Sequence, residues 1–151
     1  MDIGKICKRN VVTVRETDEL THAARLMREK HIGYLIVVKP NVTDGTFTPV
    51  GVMTDRDIVV AVVAQETDPR SLRVGDVMTR QPAVVEEESS LATALQLMRR
   101  IGVRRLPVIA RAGMLVGVLS LDDVLDALAG ELIDIASSIR QEIKMEDALR
   151  P

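Results

Sequence analysis

The sequence predicts an α/β fold in which two similar halves, each ordered strand, helix, strand, strand and helix, pack sheet to sheet about a pseudo-two-fold axis. The main observation is an internal repeat, because the pattern Gly-x-x-hydroxyl-x-x-Asp occurs at residues 51–57 and again at 117–123. Residues 20–27 and 91–98 also carry Leu, Ala and Met at matching positions. Similarity at a fixed spacing indicates two copies of one supersecondary unit.

In the first half, short apolar runs predict strands, and one amphipathic stretch predicts a helix between them. Thr17 or Asp18 precedes apolar residues that recur every three or four positions, which is typical of a capped helix with one buried face. Residues 34–38 are apolar without alternation, which predicts a strand covered on both faces. The predicted order is strand 11–14, helix 20–27, strand 34–38, turn-rich loop 41–49, strand 50–53 and helix 54–64.

The second half repeats this order. A polar segment that contains Pro69 separates the two halves and is expected to be a linker. Since a half of about 60 residues forms only a marginal core alone, the two halves are expected to fold as a unit. The predicted elements are strand 83–85, helix 91–100, strands 105–109 and 115–119, and a helix from Ser120. The predicted division is repeat 1–65, linker 66–73, repeat 74–129 and C-terminal helical extension 130–151.

The last helix is predicted to continue beyond the repeat. Gly130 lies inside it and lowers its helix propensity. Its apolar residues step by four and three positions in a heptad-like stripe, which either packs on its own domain or forms a seam between two copies. A homodimer is expected. The stripe consists of Leu121, Leu125, Leu128, Leu132, Ile135 and Ile139.

Composition argues against several classes of function. Tyr34 and Phe47 are the only aromatic residues, and the net charge is −2, so neither base stacking nor a basic surface favours nucleic-acid binding. Cys7 is the only cysteine, which excludes an intrachain disulfide and a cysteine-based zinc cluster. With His22 and His31 as the only histidines, no metal site is expected.

The apolar runs also bear on location. The first residues lack the apolar run of a signal peptide, and the longest runs, such as 58–64, fall far short of the roughly 20 residues that span a bilayer. A soluble, cytoplasmic protein without membrane contact is expected.

The duplicated motif has a structural and a functional interpretation. Thr54 with Asp57, and Ser120 with Asp123, match the capping box, which does no more than start a helix. The same geometry also suits a nucleotide, because a helix N-terminus favours phosphate and an aspartate accepts hydrogen bonds from a ribose diol. A glycine in the preceding strand is expected to let a ligand approach the backbone.

The motif, its duplication and the strand Leu106-Pro107-Val108 resemble a tandem pair of cystathionine-β-synthase (CBS) domains, the Bateman module, over residues 3–128. The resemblance implies a stand-alone regulatory protein that binds AMP, ADP or ATP, or alternatively S-adenosylmethionine or NAD, in two clefts between the repeats. Ile36 stands where the family usually has proline, and no other domain is expected to be fused to the module.

Carried over by position, the resemblance implies two unequal sites. Arg56 is a candidate phosphate contact at the first site, and its counterpart Asp122 is unfavourable at the second. Lys30 and His31 are candidate phosphate contacts at the second, although each cation is otherwise an ordinary solvated charge. The first site would combine Thr54 and Asp57 with Ala83, Val103 and Arg104. The second would combine Ser120 and Asp123 with Asn10, Val12, Ile32 and Gly33.

Two functions follow from these observations. The first is a ligand-sensing module that modulates an unidentified partner or its own assembly, and the alternative is a scaffold that binds no nucleotide. Catalysis is not expected, because the chain carries no Gly-x-Ser-x-Gly elbow, Walker loop, His-Glu-x-x-His or paired-cysteine motif.

Overall fold

The computed structural model describes residues 1–150, which form two sheets with helices packed against them. The first half contains α1 (Ile3–Ile6), β1 (Thr13–Val14), α2 (Leu20–Lys30), β2 (Tyr34–Pro40), β3 (Phe47–Thr54) and α3 (Asp55–Ile58). The second contains α4 (Val74–Val77), β4 (Thr79–Arg80), β5 (Val85–Glu86), α5 (Leu91–Ile101), β6 (Arg105–Ile109), β7 (Leu115–Ser120) and α6 (Leu121–Leu149). The predicted α/β fold is confirmed.

The two sheets have the same topology in their shared part. The order β1-β2-β3 matches β5-β6-β7, with a parallel first pair and an antiparallel second pair in each sheet. The short strand β4 joins the edge of the first sheet by pairing with β3, although it belongs to the second half of the sequence. At the equivalent edge of the second sheet, Lys8 pairs with Val118 of β7. Each half therefore lends a short segment to the other half's sheet.

Each half also contributes buried residues to the hydrophobic core of the other half. Ile3 and Cys7 are buried in the core of the second half, beside residues of α5, β6 and β7. Val74 and Met78 are buried in the core of the first half, beside residues of α2, β2 and β3. Neither half completes its core without the leading segment of the other, so burial of apolar surface holds the two halves together.

Paired hydrogen bonds hold the exchanged helices in place. The Gly4 N–H donates to the Glu87 carbonyl, and the Gly75 N–H donates to the Glu16 carbonyl, both at 2.9 Å. The matching lengths show that the pseudo-two-fold symmetry extends to single backbone contacts.

The glycines of the duplicated motif serve this exchange. A Cβ on Gly117 would lie 2.9 Å from both Cys7 Sγ and the Lys8 carbonyl oxygen, and a Cβ on Gly51 would lie 2.6 Å from Met78 Sδ. The expectation that these glycines admit a ligand is therefore wrong, because the exchanged segments occupy that space.

Two helix details differ from the sequence prediction. The N-cap of α2 is Glu19, which makes no side-chain capping bond, whereas Asp18 accepts a hydrogen bond from the Arg15 N–H at 2.8 Å. After α3 the chain forms a π-helical turn over Val59–Val63 instead of continuing as an α-helix. Four valines in this turn restrict side-chain rotamers, which lowers α-helix propensity.

The helix α6 extends far from the rest of the molecule. Its buried residues are Asp123 and Val124 in the first turn, and every residue from Leu128 to Arg150 is exposed. Leu121, the first residue of the stripe, packs against the core of the second half, but over the described residues from Leu125 onward the stripe does not fold back onto its own domain. Within residues 1–150, no helix is long and apolar enough to cross a membrane.

Replacing Gly117 with alanine tests the exchange. We expect Gly117→Ala to lower the free energy of unfolding by about 1–3 kcal/mol, because the new methyl group overlaps a carbonyl oxygen that cannot move freely. Gly130→Ala is the control, since a Cβ there has nothing within 4 Å and should raise stability by up to about 1 kcal/mol. Urea unfolding measures both values, and equal effects of the two substitutions would contradict the account.

Candidate functional site

Two clefts lie where the halves meet, and each begins at one copy of the duplicated motif. The first cleft, of about 710 Å³, is formed at the junction of β3 and α3 with residues of the second half. This volume lies within the range of about 300–1,000 Å³ that small-molecule sites occupy. All the residues predicted for the first site line it, namely Thr54, Arg56, Asp57, Ala83, Val103 and Arg104.

In the first cleft, Thr54 and Asp57 form a reciprocal capping box. The Asp57 Oδ2 atom accepts from the Thr54 N–H at 2.8 Å, and Thr54 Oγ1 accepts from the Asp57 N–H at 3.3 Å. Within residues 1–150, Asp57 Oδ1 has no hydrogen-bond or ion-pair partner. The half-buried Asp57 therefore retains one carboxylate oxygen that can accept hydrogen bonds from a ligand.

The first cleft also carries more positive than negative charge. Arg56, Arg104 and Arg105 line it together with Asp55 and Asp57. These arginines are exposed, so their side chains can turn toward an anion. A phosphate at this end of the cleft would meet guanidinium groups that form paired hydrogen bonds with phosphate oxygens.

The second cleft is smaller, with a volume of about 280 Å³. It begins at the junction of β7 and α6, where Ser120 and Asp123 form the second capping box. Lys30 ends α2 and does not line this cleft. The other residues predicted for the second site do, namely Asn10, Val12, His31, Ile32, Gly33, Ser120 and Asp123.

Asp123 differs from Asp57 because both of its carboxylate oxygens have partners. Its Oδ2 accepts from the Ser120 N–H at 3.1 Å and from the Ser120 hydroxyl. Its Oδ1 lies 2.9 Å from Lys8 Nζ, and only 7% of the Asp123 side chain is exposed. Burial alone would raise the pKa of the Asp123 carboxyl, but hydrogen bonds from Ser120 and Lys8 outweigh burial and hold that pKa below its usual value.

Gly33, Tyr34 and Arg105 line both clefts and separate them. The Arg105 guanidinium lies 5.8 Å from the centre of the Tyr34 ring, within the range of a cation–π contact. Tyr34 and Arg105 occupy equivalent positions in β2 and β6, so the contact lies near the pseudo-two-fold axis. Burial raises the pKa of the Tyr34 hydroxyl, which stays protonated at neutral pH.

His31 has a structural role in addition to its position at the second cleft. It is the C-cap of α2 in the left-handed conformation, with φ of 54°, and its N–H donates to the Met27 carbonyl. The equivalent residue after α5 is Gly102, with φ of 72°. Left-handed backbone is strained for histidine relative to glycine, and its imidazole borders the second cleft.

Sequence reasoning missed Lys8, Tyr34 and Arg105 as cleft residues. Lys8 gives no signal by itself, because its place in the cleft depends on the exchange of the leading segments. Tyr34 and Arg105 could have been found, since each begins a predicted strand directly after a predicted site residue, Gly33 or Arg104. Within residues 1–150, no group of three or more His, Cys, Asp or Glu side chains is placed to hold a metal ion.

Curated relatives match most of this chain but only part of their own length. A protein of Methanopyrus kandleri is 34% identical over 125 residues, which cover 83% of this chain and 61% of that protein. A mitochondrial CBS domain-containing protein of Arabidopsis thaliana is 33% identical over 116 residues, covering 76% of this chain and 54% of that protein. The chain thus spans little more than half the length of these two relatives.

Solved structures show the same fold. A CBS domain protein from Pyrobaculum aerophilum, complexed with AMP, is 28% identical, covers 82% of this chain and 89% of that chain, and has a TM-score of 0.71. A hexameric CBS-CP12 protein from bloom-forming cyanobacteria is 33% identical over 83% of this chain and 69% of that chain, with a TM-score of 0.69. The sequence model of the CBS domain matches residues 3–64 and 74–130, and the chain therefore belongs to the CBS domain family as a tandem pair.

Proposed function

We propose that the protein is a ligand-sensing regulatory module that binds an adenosine-containing nucleotide of the AMP, ADP or ATP class between its two repeats. The observation that carries the proposal is the first cleft, in which a free carboxylate oxygen of Asp57 lies in the same cavity as three arginines. Ligand binding would favour one conformer or assembly over another and so regulate a separate protein or the module itself.

Each part of the first cleft has a role in this proposal. Asp57 accepts hydrogen bonds from the ribose diol, and Arg56 and Arg104 contact the phosphates. Ala83 and Val103 provide apolar contacts for the adenine ring. Sites of this kind combine an apolar lining with a small number of hydrogen-bonding groups. The AMP complex of the Pyrobaculum aerophilum relative supports this choice of ligand class.

Calorimetry tests the proposal directly. We expect AMP or ATP to bind the wild-type protein, with S-adenosylmethionine and NAD as the competing candidates. Asp57→Ala should weaken binding by about tenfold to a hundredfold, because it removes a charged acceptor of hydrogen bonds. Asp68→Ala, in the exposed linker, is the matched control and should leave binding unchanged. Failure of all four ligands to bind at millimolar concentration would reject the proposal.

A nucleotide-free scaffold is the second candidate, and the capping boxes favour it. Both motifs form complete reciprocal caps within residues 1–150, so capping alone accounts for the hydroxyl and the aspartate. In a scaffold, the melting temperature would not respond to any adenosine ligand. Binding to the folded state alone would instead stabilise it by about 2.7 kcal/mol at a ligand concentration of 100 times Kd.

Thr54→Ala distinguishes the two functions of the motif. We expect it to lower the free energy of unfolding by about 1 kcal/mol, since it removes the cap of α3. If the motif also binds ligand, the nucleotide-induced rise in melting temperature should shrink in the same variant. Thermal unfolding with and without AMP measures both effects. If Thr54→Ala is less stable but its melting temperature rises with AMP as much as that of the wild type, the hydroxyl acts only as a helix cap.

We further propose that the protein assembles as a homodimer through α6. The part of the stripe beyond Leu121 is 43–67% exposed and is not covered by the described residues of its own domain; it consists of Leu125, Leu128, Leu132, Ile135 and Ile139. In proteins most of the stability of a helix comes from packing its apolar face rather than from its intrinsic propensity. Contact with another apolar surface would therefore stabilise the distal half of α6.

The charges of α6 favour an antiparallel second copy as the partner. The first half of the helix carries Asp122, Asp123, Asp126, Glu131 and Asp134 and no basic residue, whereas the second half carries Arg140 and Lys144 together with Glu142, Glu146 and Asp147. Parallel pairing would place the acidic segments side by side. Antiparallel pairing places the second half of one copy, which is nearly balanced in charge, beside the acidic first half of the other, which lowers repulsion.

Truncation after Gly130 tests the seam without disturbing the domain, because the residues removed are exposed throughout. We expect sedimentation to show a shift from dimer toward monomer. Leu132→Glu should have the same effect, whereas Ser137→Glu, on the opposite face of the helix, should not. An unchanged sedimentation coefficient after truncation would reject this seam.

A further inference from the structure

We propose that Lys8 closes the second cleft in the ligand-free protein, so that nucleotide occupies the first cleft first and the second only after Lys8 leaves Asp123. The inference rests on the proposed function, because it concerns the order in which two sites of that function are filled. It makes Lys8 a residue that determines which of two equivalent sites is available.

The backbone around Lys8 is fixed against the second sheet. The Lys8 N–H donates to the Val118 carbonyl, and the Val118 N–H donates to the Lys8 carbonyl, both at 2.9 Å. This pairing holds the Lys8 side chain beside the start of α6, where its Nζ atom lies 2.9 Å from Asp123 Oδ1. The ammonium therefore occupies the one carboxylate oxygen that Ser120 does not already use.

The first cleft provides an internal comparison. The residue equivalent to Lys8 is Thr79, which pairs with Val52 of β3 and lines the first cleft. Thr79 carries no charge, and Asp57 Oδ1 keeps no partner among the described residues. The volumes agree with this difference, being about 710 Å³ for the first cleft and about 280 Å³ for the second.

The ion pair between Lys8 and Asp123 is strong enough to reduce ligand affinity, but a ligand can still displace it. Asp123 is only 7% exposed, so its carboxylate depends on Lys8 and Ser120 for hydrogen bonds that water does not provide. The Lys8 side chain is 71% exposed, so it can leave and regain full hydration. A ribose diol that competes for Asp123 must displace one charged hydrogen bond, which corresponds to about a tenfold loss of affinity.

Reciprocal substitution of Lys8 and Thr79, the two equivalent residues, tests the proposal. Binding of AMP to the second cleft is measured by calorimetry in Asp57→Ala, which weakens the first cleft, with and without Lys8→Thr. Binding to the first cleft is measured in Asp123→Ala, which weakens the second cleft, with and without Thr79→Lys. Lys5→Thr is the control, because Lys5 is an exposed lysine of the same leading segment that lines neither cleft.

We expect Lys8→Thr to strengthen AMP binding at the second cleft about tenfold, and Thr79→Lys to weaken binding at the first cleft by a similar factor. Lys5→Thr should change neither value. Unchanged or weaker second-cleft binding in Lys8→Thr would overturn the proposal, since Lys8 would then be neutral or a ligand contact. If the wild-type protein and every variant bind no AMP, ADP or ATP, the proposed function itself fails, and the order of filling fails with it. Melting curves of each variant confirm that it is folded.

Discussion

The reciprocal exchange of the two leading segments is the constraint on which the rest of the structure depends. Each exchanged helix and its C-cap residue bring two buried side chains into the core of the other half, and each following segment pairs with the edge of the other half's sheet. A half without its partner's segment would leave apolar surface open in its core. The clefts depend on the same exchange, because their walls come from both halves.

The two clefts differ in the side chains that line them, although the backbones of the two halves are nearly symmetric. Arg56 in the first motif corresponds to Asp122 in the second, and Asp122 pairs instead with Arg104 at 3.7 Å. Tyr34 corresponds to Arg105, and the two make contact where the clefts meet. The backbone stays alike because these side chains lie at the surface of the clefts, where substitutions alter charge without disturbing core packing.

Much of the fold could be predicted from the sequence, because its strongest signals are local. The apolar runs predicted β2, β6 and β7 closely, and the duplicated motif predicted the starts of α3 and α6. The exchange could not be predicted, because four-residue helices such as α1 and α4 carry no periodicity. The role of Gly51 was misjudged for the same reason, since the segment that fills the space beside it belongs to the distant α4 region.

The cleft residues that belong to the duplicated motif could be predicted from the sequence. The cleft residues that depend on the exchange of the leading segments could not. Thr54 and Ser120 stand at helix starts that their own neighbours specify. The contact between Lys8 and Asp123 joins residues far apart in the chain, and no local pattern in the sequence marks it. The asymmetry predicted from Arg56, Arg104, Lys30 and His31 was therefore incomplete, because the two sites also differ in the partners of Asp57 and Asp123.

The exchange also sets an order in which the chain can acquire its structure during synthesis. The core of the first half needs Val74 and Met78, so it cannot close until the ribosome has released those residues. Ile3 and Cys7 precede Val74 and Met78 in the chain but have no core to pack in until α5, β6 and β7 have been synthesised. The α1 segment therefore cannot reach its native packing until those elements of the second half have been synthesised.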